Sequence, residues 1–276
     1  MNILVTGANG FLAKEILDFF SDKDYKLFPT NRETLNMLKG DVVANFIEKN
    51  KIDAVLHTAV SGNGKRTDTY EDFCNNIIMF RNLHRNQHMF KMMINFGSGA
   101  EFDRKQDIKE KKEDAIFDSF PNDYYGLAKN LITREIIKSK NIYNFRIFGC
   151  FGKHEAEGRF IKNSIRRLDK QEPILIHKNK WMDYIYAKDV CLLIKYYLDN
   201  VAKKELHKDI NVCYTDKRTL KDIAVEILTM RHVPSSFLHI EKPTHGFCYS
   251  GDATKVESTG LNFYGLKKGI YEAFND

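Results

Sequence analysis

The chain is poor in cysteine. It has five in 276 residues, Cys74, Cys150, Cys191, Cys213 and Cys248, and none forms a C-x-x-C pair. An odd, scattered set argues against a disulfide frame and a zinc ribbon, so reduced thiols in a cytoplasmic protein are expected. No run of 18 apolar residues exists, and no helical membrane span is expected. The opening MNILVTGANGFLAKEI has no basic region ahead of an apolar stretch, so no signal peptide is expected. Repeats and Pro/Ser linkers are missing too. Charge of one sign is scarce: 43 Lys+Arg against 37 Asp+Glu leaves +6. That surplus is too thin to imply a nucleic-acid partner and fits a small anionic ligand. What is present, 43 % hydrophobic and 29 % charged residues, describes an ordinary globule and excludes a largely disordered chain.

Apolar runs alternate with helical spacing from the first residue. Strands are predicted at 2–6, 25–29, 54–57, 92–96 and 142–148. Helices are predicted between them at 10–20, 41–50, 68–88 and 122–139. Strict alternation implies right-handed βαβ units, a doubly wound α/β sheet of Rossmann type with helices on both faces. After about Gly152 the pieces shorten. A helix is expected over 154–168, strands over 173–177 and 183–186, a helix over 188–200, a strand over 210–214, and helices over 220–231 and 264–274. The expected division is a dinucleotide-binding domain over 1–152, its sheet completed by parts of 183–214. A small substrate lobe then takes 153–182 and 215–276. The polar run 104–113 reads as a solvated loop or a mobile edge of the site.

Gly7-Ala8-Asn9-Gly10-Phe11-Leu12-Ala13 follows the first strand and opens the first helix. Gly7 permits a tight turn, Gly10 admits a pyrophosphate, Ala13 allows close helix–strand packing, and the helix N-terminus offers free N–H groups. The second strand ends Pro29-Thr30-Asn31-Arg32-Glu33. An acid for the ribose hydroxyl marks NAD sites; the guanidinium of Arg32 suits a 2′-phosphate and favours NADP(H), with NAD(H) the alternative. The bland reading makes Arg32 a surface cation, with Asn31 or Glu33 at the ribose.

Tyr125 and Lys129 lie four apart on a predicted helix and share one face. A nearby ammonium stabilises a phenolate, so Tyr125 is expected to have a lowered pKa and to move a proton at a carbinol or carbonyl oxygen. Ser98 ends the fourth strand at the carboxyl edge, where ligands bind in such sheets.

With these residues the chain resembles the extended short-chain dehydrogenase/reductase family, in its nucleotide-sugar epimerase/dehydratase/reductase branch. The likeness rests on the Gly7–Ala13 loop, His57-Thr58-Ala59, Asn76, Ser98, Tyr125 and Lys129, and Asp183-Tyr184-Ile185-Tyr186 with Asp189. Asn31-Arg32-Glu33-Thr34-Leu35-Asn36 is most similar to the GDP-L-fucose synthases. The resemblance implies a Rossmann fold with a C-terminal lobe, and hydride transfer at a sugar carbon of a nucleotide-diphosphate hexose or heptose. It implies cofactor contacts from Gly7, Asn9, Gly10, Phe11, Leu12, Arg32, His57, Thr58, Ala59, Asn76, Tyr125 and Lys129, and catalysis by Ser98, Tyr125 and Lys129. Substrate contacts are expected from Ser98, Gly99, Tyr125 and Arg159, and from Lys180 on charge and placement. No metal is expected. A homodimer is expected through the two long helices.

The departures bear on the reaction. Gly99 and Ala100 stand where the dehydratases carry an Asp-Glu pair. Ala100 and Arg159 match the cysteine and histidine with which GDP-L-fucose synthase epimerises C3 and C5, and neither can shuttle a proton from carbon. Reduction of a 4-keto group by NADPH, without 3,5-epimerisation, is the expected activity. A 4-epimerase with retained NAD is the alternative, and a non-catalytic dinucleotide sensor a second. The arginine often found before Asp183 is Met182, so diphosphate contacts are sought among Arg159, Lys162, Lys178 and Lys180. His84 and His88, four apart, read as solvated or half-buried, and Trp181 as a pocket wall or lobe core.

Overall fold

The computed structural model describes residues 1–62, 68–202 and 205–274. The first half runs β1 (Asn2–Thr6), α1 (Phe11–Phe20), β2 (Lys26–Thr30), α2 (Gly40–Lys49), β3 (Ala54–His57), α3 (Tyr70–His84), β4 (Met92–Ser98), β5 (Ile108–Lys111), α4 (Tyr124–Ile137) and β6 (Ile142–Ile147). There follow β7 (Cys150–Phe151), α5 (Phe160–Asp169), β8 (Ile174–Lys178), β9 (Ile185–Tyr186), α6 (Ala187–Asn200) and β10 (Asp209–Val212). The chain ends with α7 (Leu220–Met230), β11 (Leu238–Lys242), β12 (Tyr249–Gly251), α8 (Thr254–Glu257) and α9 (Gly265–Phe274).

Six strands form one parallel sheet in the order β10-β6-β4-β3-β1-β2. The central strands are buried along their whole length because helices cover both faces. Ile16, Val190 and Ile194 pack on one face; Val43, Phe80 and Ile136 pack on the other. The chain reverses direction across the sheet between β1 and β3. The crevice at such a switch point lies beyond the carboxyl ends of the strands, where Thr6, His57 and Ser98 stand. A separate cluster around Phe151, Ile161, Ile176, Ile227 and Ile270 forms the core of the second half.

Three expectations need correction. The helix expected from 154 begins at Phe160, with Arg159 as its N-cap. Turns closed by Gly152 O with Glu155 N and by Ala156 O with Arg159 N occupy the stretch before it. The helix expected over 68–88 spans Tyr70–His84, capped by Thr69 accepting from Asp72 N. The polar run 104–113 is not merely a loop. Its Ile108 is buried, and β5 pairs in parallel with β12, a strand the sequence pattern did not suggest.

Candidate active site

Gly7 leaves β1 at φ +66°, and a Cβ there would lie 2.7 Å from the Ala59 Cα, so the crossing of the two loops demands glycine. Gly10 N caps back on Gly7 O at 2.8 Å, and α1 starts without a side-chain cap. The first turn of α1 therefore keeps donors for an anion, and Gly10, Phe11, Leu12 and Ala13 line a cavity of about 470 Å³. Asn9 is exposed at the loop tip and is not among the lining residues.

Two of the expected cofactor contacts are scaffolding. Thr6 Oγ1 bonds His57 Nδ1 at 3.0 Å and accepts from Ala59 N at 3.1 Å. Burial pulls the His57 pKa down to about 3, so the ring is neutral and ties β1 to β3. Asn76 bonds both backbone groups of Ser61, at 2.9 and 3.2 Å, and holds the loop after β3. Neither lines the cavity, whereas Thr58 does.

A second cavity of about 130 Å³ adjoins Gly7 and is lined by Thr30, Arg32, Asn36, Ala59, Ser61 and Met79, among others. The Asn31 carboxamide oxygen accepts from Glu33 N and Thr34 N, at 2.9 and 3.1 Å, so that oxygen is engaged within its own turn. The Arg32 side chain is exposed at the rim.

Ser98 closes β4 and caps the following turn, accepting from Ala100 N at 3.2 Å. Its own N–H donates to Glu101 Oε1 at 2.8 Å, and Glu101 is held by Thr133 and by buried Arg146. Asp68 accepts from Tyr124 N and Tyr125 N, at 3.1 and 2.8 Å, and Asp123 caps the same helix end. Tyr125, Ser98 and Lys129 thereby meet on one wall of the larger cavity.

The electrostatics differ from expectation. The Lys129 ammonium donates to Phe96 O at 2.7 Å, and burial lowers its pKa to about 8. Burial raises the Tyr125 phenol above its usual range; the Ser98 hydrogen bond and the Arg104 charge work against that rise without overcoming it. Tyr125 is therefore a loaded proton donor at neutral pH.

Arg159 and Lys180 line the same cavity, and Gly99 does not. Gly99 is buried; a Cβ there would come within 2.3 Å of Phe148 Cδ1 and 2.8 Å of Tyr249 Cζ. Of the lining residues that the motif reading missed, two carry a charge or a hydroxyl, Arg104 and Tyr249. Arg104 stands six residues beyond Ser98 in the run flagged as a site edge; nothing local to Tyr249 signals its role. The cavity carries four cations, Arg104, Lys129, Arg159 and Lys180, and none of its lining residues is an Asp or Glu. Lys162 pairs with Glu157 and, like Lys178, stays outside it, as does half-buried Trp181, whose ring lies 5.0 Å from the Lys109 ammonium. His84 and His88 border a surface groove, and no metal-binding group of three donors occurs among the described residues.

The family model for the NAD dependent epimerase/dehydratase family matches residues 3–213. The chain belongs to that family. Membership, with the loop and the serine–tyrosine–lysine wall, makes it an NAD(P)-dependent oxidoreductase. GDP-L-colitose synthase of Yersinia pseudotuberculosis is 25 % identical over 239 residues, 77 % of this chain and 76 % of that protein. Among solved structures, GDP-mannoheptose C4 reductase from Campylobacter jejuni, with NADP bound, superposes at a TM-score of 0.81. Its identity is 18 %, covering 99 % of this chain and 97 % of the other. UDP-glucose 4-epimerase from Thermotoga maritima gives 0.79 at 17 % identity, covering 99 % and 97 %. The backbone shape is thus shared by reductases and epimerases, and the side chains of the site set the reaction.

Proposed function

We propose that this enzyme reduces the 4-keto group of a nucleotide-diphosphate-linked 6-deoxy hexose or heptose with NADPH, without epimerising C3 or C5. The observation that carries this is the composition of the larger cavity. It joins the open N-terminus of α1 to the Ser98–Tyr125 pair and holds four cations with no lining carboxylate. A diphosphate fits the cations, and a carbonyl oxygen fits the two hydroxyls.

When bound, NADPH supplies the hydride to the sugar carbon. Gly10, Phe11 and Leu12 would hold its pyrophosphate, and Arg32 its 2′-phosphate. Ser98 donates a hydrogen bond to the carbonyl oxygen as charge gathers there. Tyr125 gives that oxygen its proton, completing the alcohol, and the phenolate left behind is stabilised by Arg104 until solvent returns a proton. Lys129, charged below about pH 8, keeps the wall electropositive and would hold the nicotinamide ribose. Ala100 has no ionisable group and is fully buried, and a guanidinium such as that of Arg159 is no proton shuttle, so neither is suited to epimerise.

We read residues 153–182 and 215–276 as the substrate lobe, and the chain as a homodimer. On α3 and α4, Phe80, Leu83, Ile132 and Ile136 are spent on the core. Phe73, Leu131 and Ile77, which also touches that core, line an outer groove with Arg81, Arg134, Glu135 and Lys138; exposed Tyr70 and Tyr124 lie beside it, which supports a seam with a second copy. The reduced cysteines support a cytoplasmic setting. The test is turnover of NADPH against a panel of nucleotide-linked 4-keto sugars. A 4-epimerase would interconvert two sugars at C4 with no net consumption of NADPH.

A further inference from the structure

Tyr249 lies 151 residues from Ser98 in sequence, yet its Oη sits 3.3 Å from Ser98 Oγ. The approach is built from several sides. Tyr249 N donates to Trp181 O at 2.9 Å, and Asp183 N donates to Tyr249 O at 3.1 Å. Strand β12 pairs with β5 immediately beyond the Ser98 turn. The ring packs edge-on against Phe148, centroids 5.3 Å apart. Gly99 is what lets the ring in, because a Cβ there would collide with it.

A serine hydroxyl has one proton and two lone pairs. Ala100 N–H already occupies one lone pair of Ser98 Oγ. Around the Tyr249 phenol stand the Ser98 and Tyr125 hydroxyls and the cations Arg104 and Lys180; the charge of Glu101 also reaches it, but that carboxyl is engaged by Ser98 N, Thr133 and Arg146. Burial keeps the phenol protonated far above neutral pH, so it is a donor and not a base.

We propose that Tyr249 is a positioning residue: its phenol donates to Ser98 Oγ and, with Ala100 N–H, fills both lone pairs. The serine proton is then left pointing at the substrate oxygen beside Tyr125. The lobe thus sets the catalytic rotor directly, a role no motif in the first half of the chain contains. This rests on the reduction proposed above.

Tyr249→Phe keeps the ring and its packing on Phe148, so the fold is preserved. Losing one such hydrogen bond is worth roughly a tenfold fall in kcat, with NADPH affinity and substrate KM unchanged. In Ser98→Ala the rotor is gone, so adding Tyr249→Phe should cost nothing more. Wild-type kcat in Tyr249→Phe, a raised KM at full kcat, or losses that multiply in the double variant would each overturn the proposal. A second readout needs no substrate. With tyrosines labelled at 13Cζ, the signal lost in Tyr249→Phe should shift in Ser98→Ala; an unmoved signal overturns the contact. Wild-type enzyme that consumes no NADPH with any keto sugar counts against the reductase reading, and the labelled spectra still decide Tyr249.

Discussion

The Lys129 ammonium donates to the Phe96 carbonyl at 2.7 Å, two residues before Ser98 in β4. A lysine so anchored orders the wall of the site, where burial holds the Tyr125 phenol above its usual range. Arg104, ion-paired with Asp123 at 2.8 Å, works against the rise of that phenol, and the Asp123 charge works with it. For a reductase this division is useful: the acid stays loaded, and a guanidinium that never titrates stabilises what remains after proton transfer.

The pH profile follows. Tyr125 titrates above its usual range, so it stays protonated across the neutral region. Lys129 has its pKa lowered to about 8, so its charge is present below that pH and lost above it. The profile of kcat/KM for reduction should fall on the alkaline side with a midpoint near pH 8, well before tyrosine ionises. Arg104→Ala removes a charge that favours phenolate. The Tyr125 phenolate then loses a stabilising charge, and the rate should drop by up to about fivefold, the worth of a partly exposed charge interaction. An alkaline midpoint at the usual tyrosine value would contradict the assignment.

In the proposed site, cofactor choice is assigned to Arg32. A charge-assisted hydrogen bond to phosphate at an exposed rim is worth about 1.5 kcal/mol, or roughly tenfold. Arg32→Ala should weaken NADPH by that factor and leave NADH unchanged, as read by fluorescence titration. Equal affinities for the two cofactors in the unmodified enzyme would remove the argument.

Much of this was legible in the sequence where the physics is local. The buried run of β1, the glycine turn and the helix behind it occupy fewer than twenty residues and declare themselves. Tyr125 and Lys129 share a helix face by spacing alone. Contacts across the chain were not legible. Tyr249 reaches Ser98 through a three-residue strand, too short for a period, paired with Ile-Lys-Glu-Lys, which reads as solvated charge. His57 and Asn76 carried motif identity, but their partners, Thr6 and Ser61, show that they brace loops.

Beneath the site, Arg146 is fully buried between Glu101, at 2.8 Å, and Asp209, at 2.7 Å. Arg146→Ala strands two buried carboxylates and should destabilise the fold by about 3–5 kcal/mol. Burial raises the Glu101 pKa. A carboxyl with a raised folded pKa loses its stabilising contribution as pH rises, so the variant should recover part of its loss on acidification. Urea unfolding at about pH 8 and about pH 5 checks this, and an equal loss at both would contradict it.

Assembly is tested by light scattering at micromolar concentration. A mass twice the 32.2 kDa of the chain is expected. Ile77→Asp, on the outer groove between α3 and α4, should reduce it to the monomer. A monomeric mass for the unmodified chain would show that this face serves no second copy.

The most direct test of the whole account is the stoichiometry of one reaction run in deuterated water. The enzyme is given NADPH and a nucleotide-linked 4-keto-6-deoxy sugar. One NADPH should be consumed per sugar reduced, with no carbon-bound solvent deuterium at C3 or C5 of the product. Deuterium at either carbon, or a ketone left unreduced with its NADPH unspent, would contradict it.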